Sequence, residues 1–371
     1  MATVNEQLRD EAISHAIGIN RFGTGIANRM LKILNASDAD ISAKLIVALE
    51  TLSPESFTVR RLESLLGDVR SLNRQAVDSM FSAMSGELRA LAGYEAGYQI
   101  SLFDSLLPDI VLKRYPLQGI AADMVYAATM SQPFQGRLLS EWAKGLETDR
   151  MTRIVNAVRH GYLQGETTEA IARRVRGHVN KGYKDGALQM SRANATSIVK
   201  SAVNHLAATA RHSFAKANSD VIECKQWLST LDNKTTPLCM IRDCRKYTLE
   251  NKPIGHKVPY LQGPGRIHFC CRSTETLVVK SWRQLGIDAD EMDAGTRASM
   301  DGQVPAGITY NDWLLSQSFT RQVQVLGETR ARLIRDGGMR PDEFYTDKGE
   351  WLTLAQLREF DSKSFEMAFV V

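Results

Sequence analysis

All five cysteines of this 371-residue chain fall between Cys224 and Cys271, together with two of its seven histidines, His256 and His268. Cys239 and Cys244 form a C-x4-C pair, and His268 and Cys271 form an H-x2-C pair. Two short pairs of soft donors joined by a long loop suit a structural zinc site, in which each pair sits on one turn and the ion closes the loop. Thiolate and imidazole match Zn2+, which takes four such ligands tetrahedrally and needs no open position. We therefore expect Cys239, Cys244, His268 and Cys271 to hold a structural Zn2+. Cys270 could stand in for Cys271 and Asp243 for Cys244; the spacing does not choose between them. Cys224 lies in an alternating strand pattern and reads as a core residue. A hydrolytic zinc would need an open position and a carboxylate base, for which Asp232, Glu223 and Asp243 are the nearest candidates. A histidine-led nuclease would need a metal ligand on a helix following the histidine. Here His268 is followed by Phe-Cys-Cys-Arg and a strand-like run, so an enzyme is not expected.

The elements that must position these residues give a mainly α (α+β) chain. Residues 1–115 read as an N-terminal helical domain, with stripes at Leu45, Ile46, Ala48, Leu49, Leu52 and at Leu62, Leu65, Leu66, Val69, Leu72. Ser53-Pro54-Glu55 marks a helix start, Gly93 to Gly97 a soft spot, and Leu107-Pro108 and Tyr115-Pro116 the end of this part. Residues 116–218 read as a second helical region. Phe134, Leu138, Leu139 and Trp142 form one apolar face and Ile154, Val155, Val158 and Leu163 the next. Gly165 breaks the helix, and Glu166-Thr167-Thr168-Glu169 caps another. A long helix follows, burying Ile198, Val199, Ala202, Val203, Leu206 and Ala210 and exposing Lys200, Asn204 and Arg211. Residues 219–280 form a small β module, with strands near Asp220–Thr230 and Thr274–Val279 enclosing a loop too long to be ordered without its own staple. Residues 281–371 form a short mixed tail. In it a helix over Phe319–Leu333 stops at Asp336-Gly337-Gly338, and Trp351-Leu352-Thr353-Leu354 with Leu357 forms a further ordered piece.

The formal charge is only +4, but it is unevenly spread. Between Arg150 and Ala217 twelve Lys and Arg face three acidic residues, a local excess of nine positive charges. That excess is a candidate polyanion footprint, with Arg173, Arg174, Arg176 and Lys181 as the expected nucleic-acid contacts. The first residues lack a basic and apolar leader pattern, and no apolar run approaches the roughly twenty residues of a membrane helix. Assembly in the cytosol, with reduced cysteines, is the expectation.

At the cysteine cluster, Trp227-Leu-Ser-Thr-Leu-Asp232-Asn-Lys-Thr235-Thr-Pro-Leu-Cys239 resembles a signature of the phage Mu F-like head-morphogenesis family: a tryptophan strand, an Asp-x-Arg/Lys-Thr turn, then Cys or His. His268-Phe-Cys-Cys271-Arg272 is similar to that family's His-Pro-Asn-Cys-Arg, and Asp243-Cys244 stands where it usually shows Asp-Gly. Gly165–Gly177, the Ala-rich helix from Ala195, Tyr310-Asn-Asp-Trp-Leu-Leu, Leu326–Leu333 and Leu352–Leu354 extend the likeness over roughly residues 118–357. Cys244, Cys270 and Ser273 depart from the pattern. On the matched residues, Asp232 can cap the turn at Thr235, and Arg272 can bridge back to Asp232 with both guanidinium nitrogens. The resemblance implies a minor head (capsid) protein of a tailed bacteriophage, at the portal vertex of the virion head. Its expected partners are the portal protein, other head proteins and genomic double-stranded DNA, with no membrane and no small-molecule substrate. Roles in head assembly and in DNA packaging or delivery would follow. The alternative is a metal-dependent nuclease or DNA-binding protein.

Overall fold

The computed structural model describes residues 3–51, 64, 66–287, 296–299, 302–305 and 308–369. The chain is mainly helical with a small antiparallel sheet. It divides into two compact units, neither continuous in sequence: residues 1–19, 93–125 and 207–371 form unit 1, and residues 20–92 and 126–206 form unit 2. The boundaries expected near residues 115 and 218 do not coincide with these limits. Three long helices, α1 (Val4–Glu50), α2 (Gly67–Leu106) and α7 (Gln189–Ala217), each contribute residues to both units.

Unit 2 is built on a helical core of Ile41, Leu45, Leu49, Leu66, Val69, Ile154, Val158, Ile171, Val175 and Leu188. The expected helix start at Ser53-Pro54-Glu55, and Leu52, Leu62 and Leu65, lie outside the described residues. Short α4 (Ala122–Ser131) leads to α5 (Leu139–Leu163), where Ile154 and Val158 face inward but Leu163, expected on the same face, is 79% exposed. The chain turns at Gly165 in the left-handed region (φ 69°). It then enters α6 (Thr168–Arg176), whose first turn is capped by Thr167 Oγ1 accepting from the Ala170 N–H at 3.2 Å. Inside this unit Asp38 is fully buried and accepts from Arg150 and Arg192, each at 2.5 Å.

α2 runs unbroken through Gly93 and Gly97, so the expected soft spot is ordinary helix. Its buried stripe of Leu91, Ala92, Ala96 and Phe103 holds the helix there, against a glycine cost of about 1 kcal/mol each. It ends before Pro108, and α3 (Asp109–Arg114) ends before Pro116. α7 also differs from expectation: Asn204 and Arg211, read as exposed, are buried with the rest of residues 201–211. Over residues 201–211 its small side chains (Ala, Ser, Thr) let neighbours pack on every side, so that stretch leaves no face for solvent.

Unit 1 holds the sheet, in the order β3-β2-β1-β4 and antiparallel throughout. β1 (Ile222–Leu228) and β4 (Thr274–Val279) pair with Trp227 opposite Glu275 and Lys225 opposite Leu277. β2 (Lys246–Tyr247) and β3 (Pro253–Ile254) are two-residue strands. β1 and β4 are buried on both faces apart from Glu223, which explains their near-continuous burial. A two-stranded hairpin, β5 (Thr296–Ser299) and β6 (Gly302–Pro305), was not legible in the sequence. The tail carries α9 (Tyr310–Leu315), α10 (Phe319–Leu326), α11 (Glu328–Arg335), α12 (Leu354–Phe360) and α13 (Ser362–Phe369). The single helix expected over Phe319–Leu333 is two helices, because Gly327 takes φ 79° between them. Tyr310, Trp313, Leu314, Leu333, Phe344 and Leu357 close this part of the core with Met240 and Ile241.

Candidate metal centre

The loop between β1 and β4 is ordered from both ends. β1 runs into an aspartate turn in which Asp232 Oδ1 accepts from the backbone N–H of Lys234 at 2.9 Å and of Thr235 at 3.1 Å. Pro237 then opens the short helix α8 (Pro237–Met240), placing Cys239 against the strand. At the other end, His268, Phe269, Cys270 and Cys271 make a tight turn before β4, with the Cys271 N–H donating to the His268 carbonyl at 3.2 Å. Cys270 takes φ 55° there. Arg272 donates to both carboxylate oxygens of Asp232, Nη2 to Oδ1 at 2.9 Å and Nη1 to Oδ2. The bridge closes the two ends of the loop on each other.

Cys239, His268 and Cys271 converge here. Cys239 Sγ lies 3.4 Å from His268 Nε2 and 3.7 Å from Cys271 Sγ, and the three donor atoms all lie within 4.8 Å of one another. Around a tetrahedral Zn2+ with ordinary bond lengths, two sulfurs stand about 3.8 Å apart and a sulfur and a nitrogen about 3.6 Å apart. The spacing fits one ion, and this group could hold it. Both cysteines are buried in a cluster with Trp227, Tyr247, Tyr260 and Ile267, where Trp227 and Tyr260 meet edge to face at 5.9 Å. Cys271 is held well below the ordinary thiol range by its contact with Cys239 and then by His268, while Cys239 is pushed well above it by that same contact and by burial. Burial opposes a charged His268, but the neighbouring Cys271 outweighs it and raises the imidazole pKa. The cluster thus favours one thiolate before any ion is bound.

Cys244, expected as the fourth ligand, is not part of the group. Its Sγ sits 3.6 Å from Asp243 Oδ2 and 3.8 Å from the Ile308 carbonyl. It takes φ 61°, a left-handed conformation that turns the chain back so that its N–H donates to the Trp227 carbonyl at 2.9 Å. Asp243, the alternative, is committed elsewhere: Oδ1 accepts from the Ser229 N–H at 2.7 Å and Oδ2 from the Tyr310 N–H at 2.8 Å. Cys270 and His256 also lie outside the group; His256 Nε2 reaches the Lys246 carbonyl at 2.9 Å. Among the described residues no carboxylate joins the three ligands. Cys224 is buried in the sheet, its thiol pushed up to about 11 by burial.

Sequence reasoning missed the buried charges around this centre. Arg242 is 1% exposed and donates to the carbonyls of Pro259 at 2.9 Å and Leu238 at 2.6 Å. Lys225 Nζ lies 4.1 Å above the Tyr260 ring, and the Tyr260 hydroxyl donates to the buried Glu275 at 2.6 Å. Lys225 and Glu275 carried a visible signal, as charged residues inside apolar strand patterns; Arg242, just after α8, carried none.

In unit 2, the expected nucleic-acid contacts are mostly tied to neighbours. Arg174 is engaged by Glu166, Arg176 stacks on Tyr183 with its carbon 4.7 Å from the ring centre, and Lys181 lies 3.2 Å from Asp185. Arg173 is exposed. Of the twelve basic residues counted between Arg150 and Ala217, Arg150, Arg192 and Arg211 are buried, so the surface excess is smaller than the sequence count. No helix among the described residues is long and apolar enough to cross a membrane. No family model, no curated protein and no solved structure matches this chain.

Proposed function

We propose that this chain is a structural head protein of a tailed bacteriophage, bound at the portal vertex, with Zn2+ held by Cys239, His268 and Cys271 as a folding staple. One observation carries the metal part: Cys239 Sγ stands from His268 Nε2 and from Cys271 Sγ at separations close to those around a single tetrahedral ion, and all three donors lie within 4.8 Å of one another. Bound there, zinc would supply a fixed link between the α8 turn and the turn before β4. The surrounding residues do the rest: Asp232 and Arg272 hold the loop ends together, and Arg242 places a buried positive charge near the thiolates.

Two left-handed residues support the likeness to the head-morphogenesis pattern. Cys244 and Cys270 stand where that pattern has Gly and Asn, the residues that adopt positive φ most readily. Elemental analysis and portal co-sedimentation test the two parts separately. We expect one Zn2+ per chain and, on chelation, loss of the ordered module; metal-free protein that is fully folded would overturn the staple. Failure to co-sediment with portal or heads would overturn the head assignment. A second reading rests on the ligand count, since three protein ligands are also the number found in hydrolytic zinc sites. It predicts metal-dependent DNA cleavage that His268→Ala abolishes while the fold survives, and intact DNA after long incubation would dismiss it.

A further inference from the structure

Within unit 2, one face of α5 is lined at helical spacing by Lys144, Thr148, Thr152, Asn156 and Arg159, and Arg70 and Arg74 from the first turns of α2 form the opposite wall. Together they bound a cavity of about 770 Å³, and a neighbouring one of about 850 Å³ shares Lys144, Thr148 and Thr152 and adds Arg137. Lys144 to Arg159 spans roughly 22 Å of helix at 1.5 Å per residue. The acidic residues along this groove are already committed. Glu147 accepts from Arg74 at 3.1 Å, Asp149 from Arg153 at 2.8 Å, and Glu141 caps the Leu138 N–H at 2.7 Å. Among the described residues, neither Arg70 nor Lys144 has an ion-pair partner, and both are exposed.

We propose that this groove binds the phosphodiester backbone of a nucleic acid. Cations distributed along four helical turns match a repeating anion better than a compact one, and 22 Å of duplex axis carries about six phosphates per strand. The lining offers hydroxyls and an amide but no aromatic ring for base stacking, so recognition is of backbone and not of sequence. The inference goes beyond the head-protein reading and needs neither the metal nor the portal. It moves the nucleic-acid contact from α6, where Arg174 and Arg176 are tied to neighbours, to α5.

The test is fluorescence anisotropy of the full chain with a short labelled duplex between about 50 and 200 mM salt. Arg70→Glu with Lys144→Glu is expected to weaken binding more than about tenfold and to lower the slope of log K against log salt by about 1.8. Arg173→Glu with Arg176→Glu is expected to change binding less than about threefold. Circular dichroism and zinc content serve as fold controls. If charge reversal unfolds the protein, Arg70→Gln with Lys144→Gln keeps the test, with a smaller loss in the same order. Equal losses for the two pairs, no loss for the groove pair, or displacement by polyglutamate as effective as by unlabelled duplex would overturn the proposal.

Discussion

Each residue of the candidate centre is defined by what its atoms already do. Cys244 is half-buried in a left-handed turn that costs an L-residue about 1–2 kcal/mol, and its sulfur is away from the converging donors. Cys244→Gly is therefore expected to keep full metal content and to raise unfolding free energy by about 0.5–1 kcal/mol, checked by elemental analysis and urea unfolding. Loss of metal in that variant would restore Cys244 as a ligand. Arg272→Lys keeps the charge but loses the two-pronged contact with Asp232. Because Arg272 is partly exposed, we expect a stability loss of only about 1 kcal/mol in urea unfolding. The three gathered donors were legible from the chain because donor type and short spacing are local properties. Cys244 was joined to them on spacing alone, which does not reveal a residue's φ, and Asp243 could not be judged before the two N–H groups facing it were known.

Periodicity identified most helices and the two principal strands, since a stripe of apolar residues is a consequence of which face is buried. It failed where the element has no single exposed face, as in α7, and where one glycine changes φ, as between α10 and α11. It also had no access to the Asp38 clasp, whose partners Arg150 and Arg192 lie 112 and 154 residues away. That clasp joins α1, α5 and α7 residues within unit 2 with no exposure of the carboxylate. Removing it would leave two buried cations without their counter-charge. Asp38→Ala is expected to destabilise the protein by about 3–5 kcal/mol in denaturant unfolding. A loss below about 1 kcal/mol would mean that water reaches the site.

For the molecule as a whole, acid sensitivity should enter through His212. Burial, then Lys225, pushes its imidazole down to about 4, with Glu275, Lys216 and Arg266 as the other charges acting on it. An unfolded histidine titrates near 6.5, so between those values the unfolded chain binds a proton that the folded one refuses. Stability is therefore expected to fall as pH drops from about 6.5 to about 4, and His212→Gln should flatten that fall by about 1–2 kcal/mol in urea unfolding at the two ends of the window. A slope unchanged by the substitution would assign the acid sensitivity to other groups. The discontinuity of the two units has a consequence for biosynthesis. All the segments of unit 2 have been made once residue 206 leaves the ribosome, whereas the first nineteen residues belong to a unit whose last segment is the C-terminal one. In a nascent chain, residues 1–19 therefore meet some partners early, as His15 meets Glu95, and others only after β4 has been made, as Asn5 meets Val279. Fragments cut at residue 115 or 218 separate segments of the same unit, so neither piece is a sound choice for expression on its own.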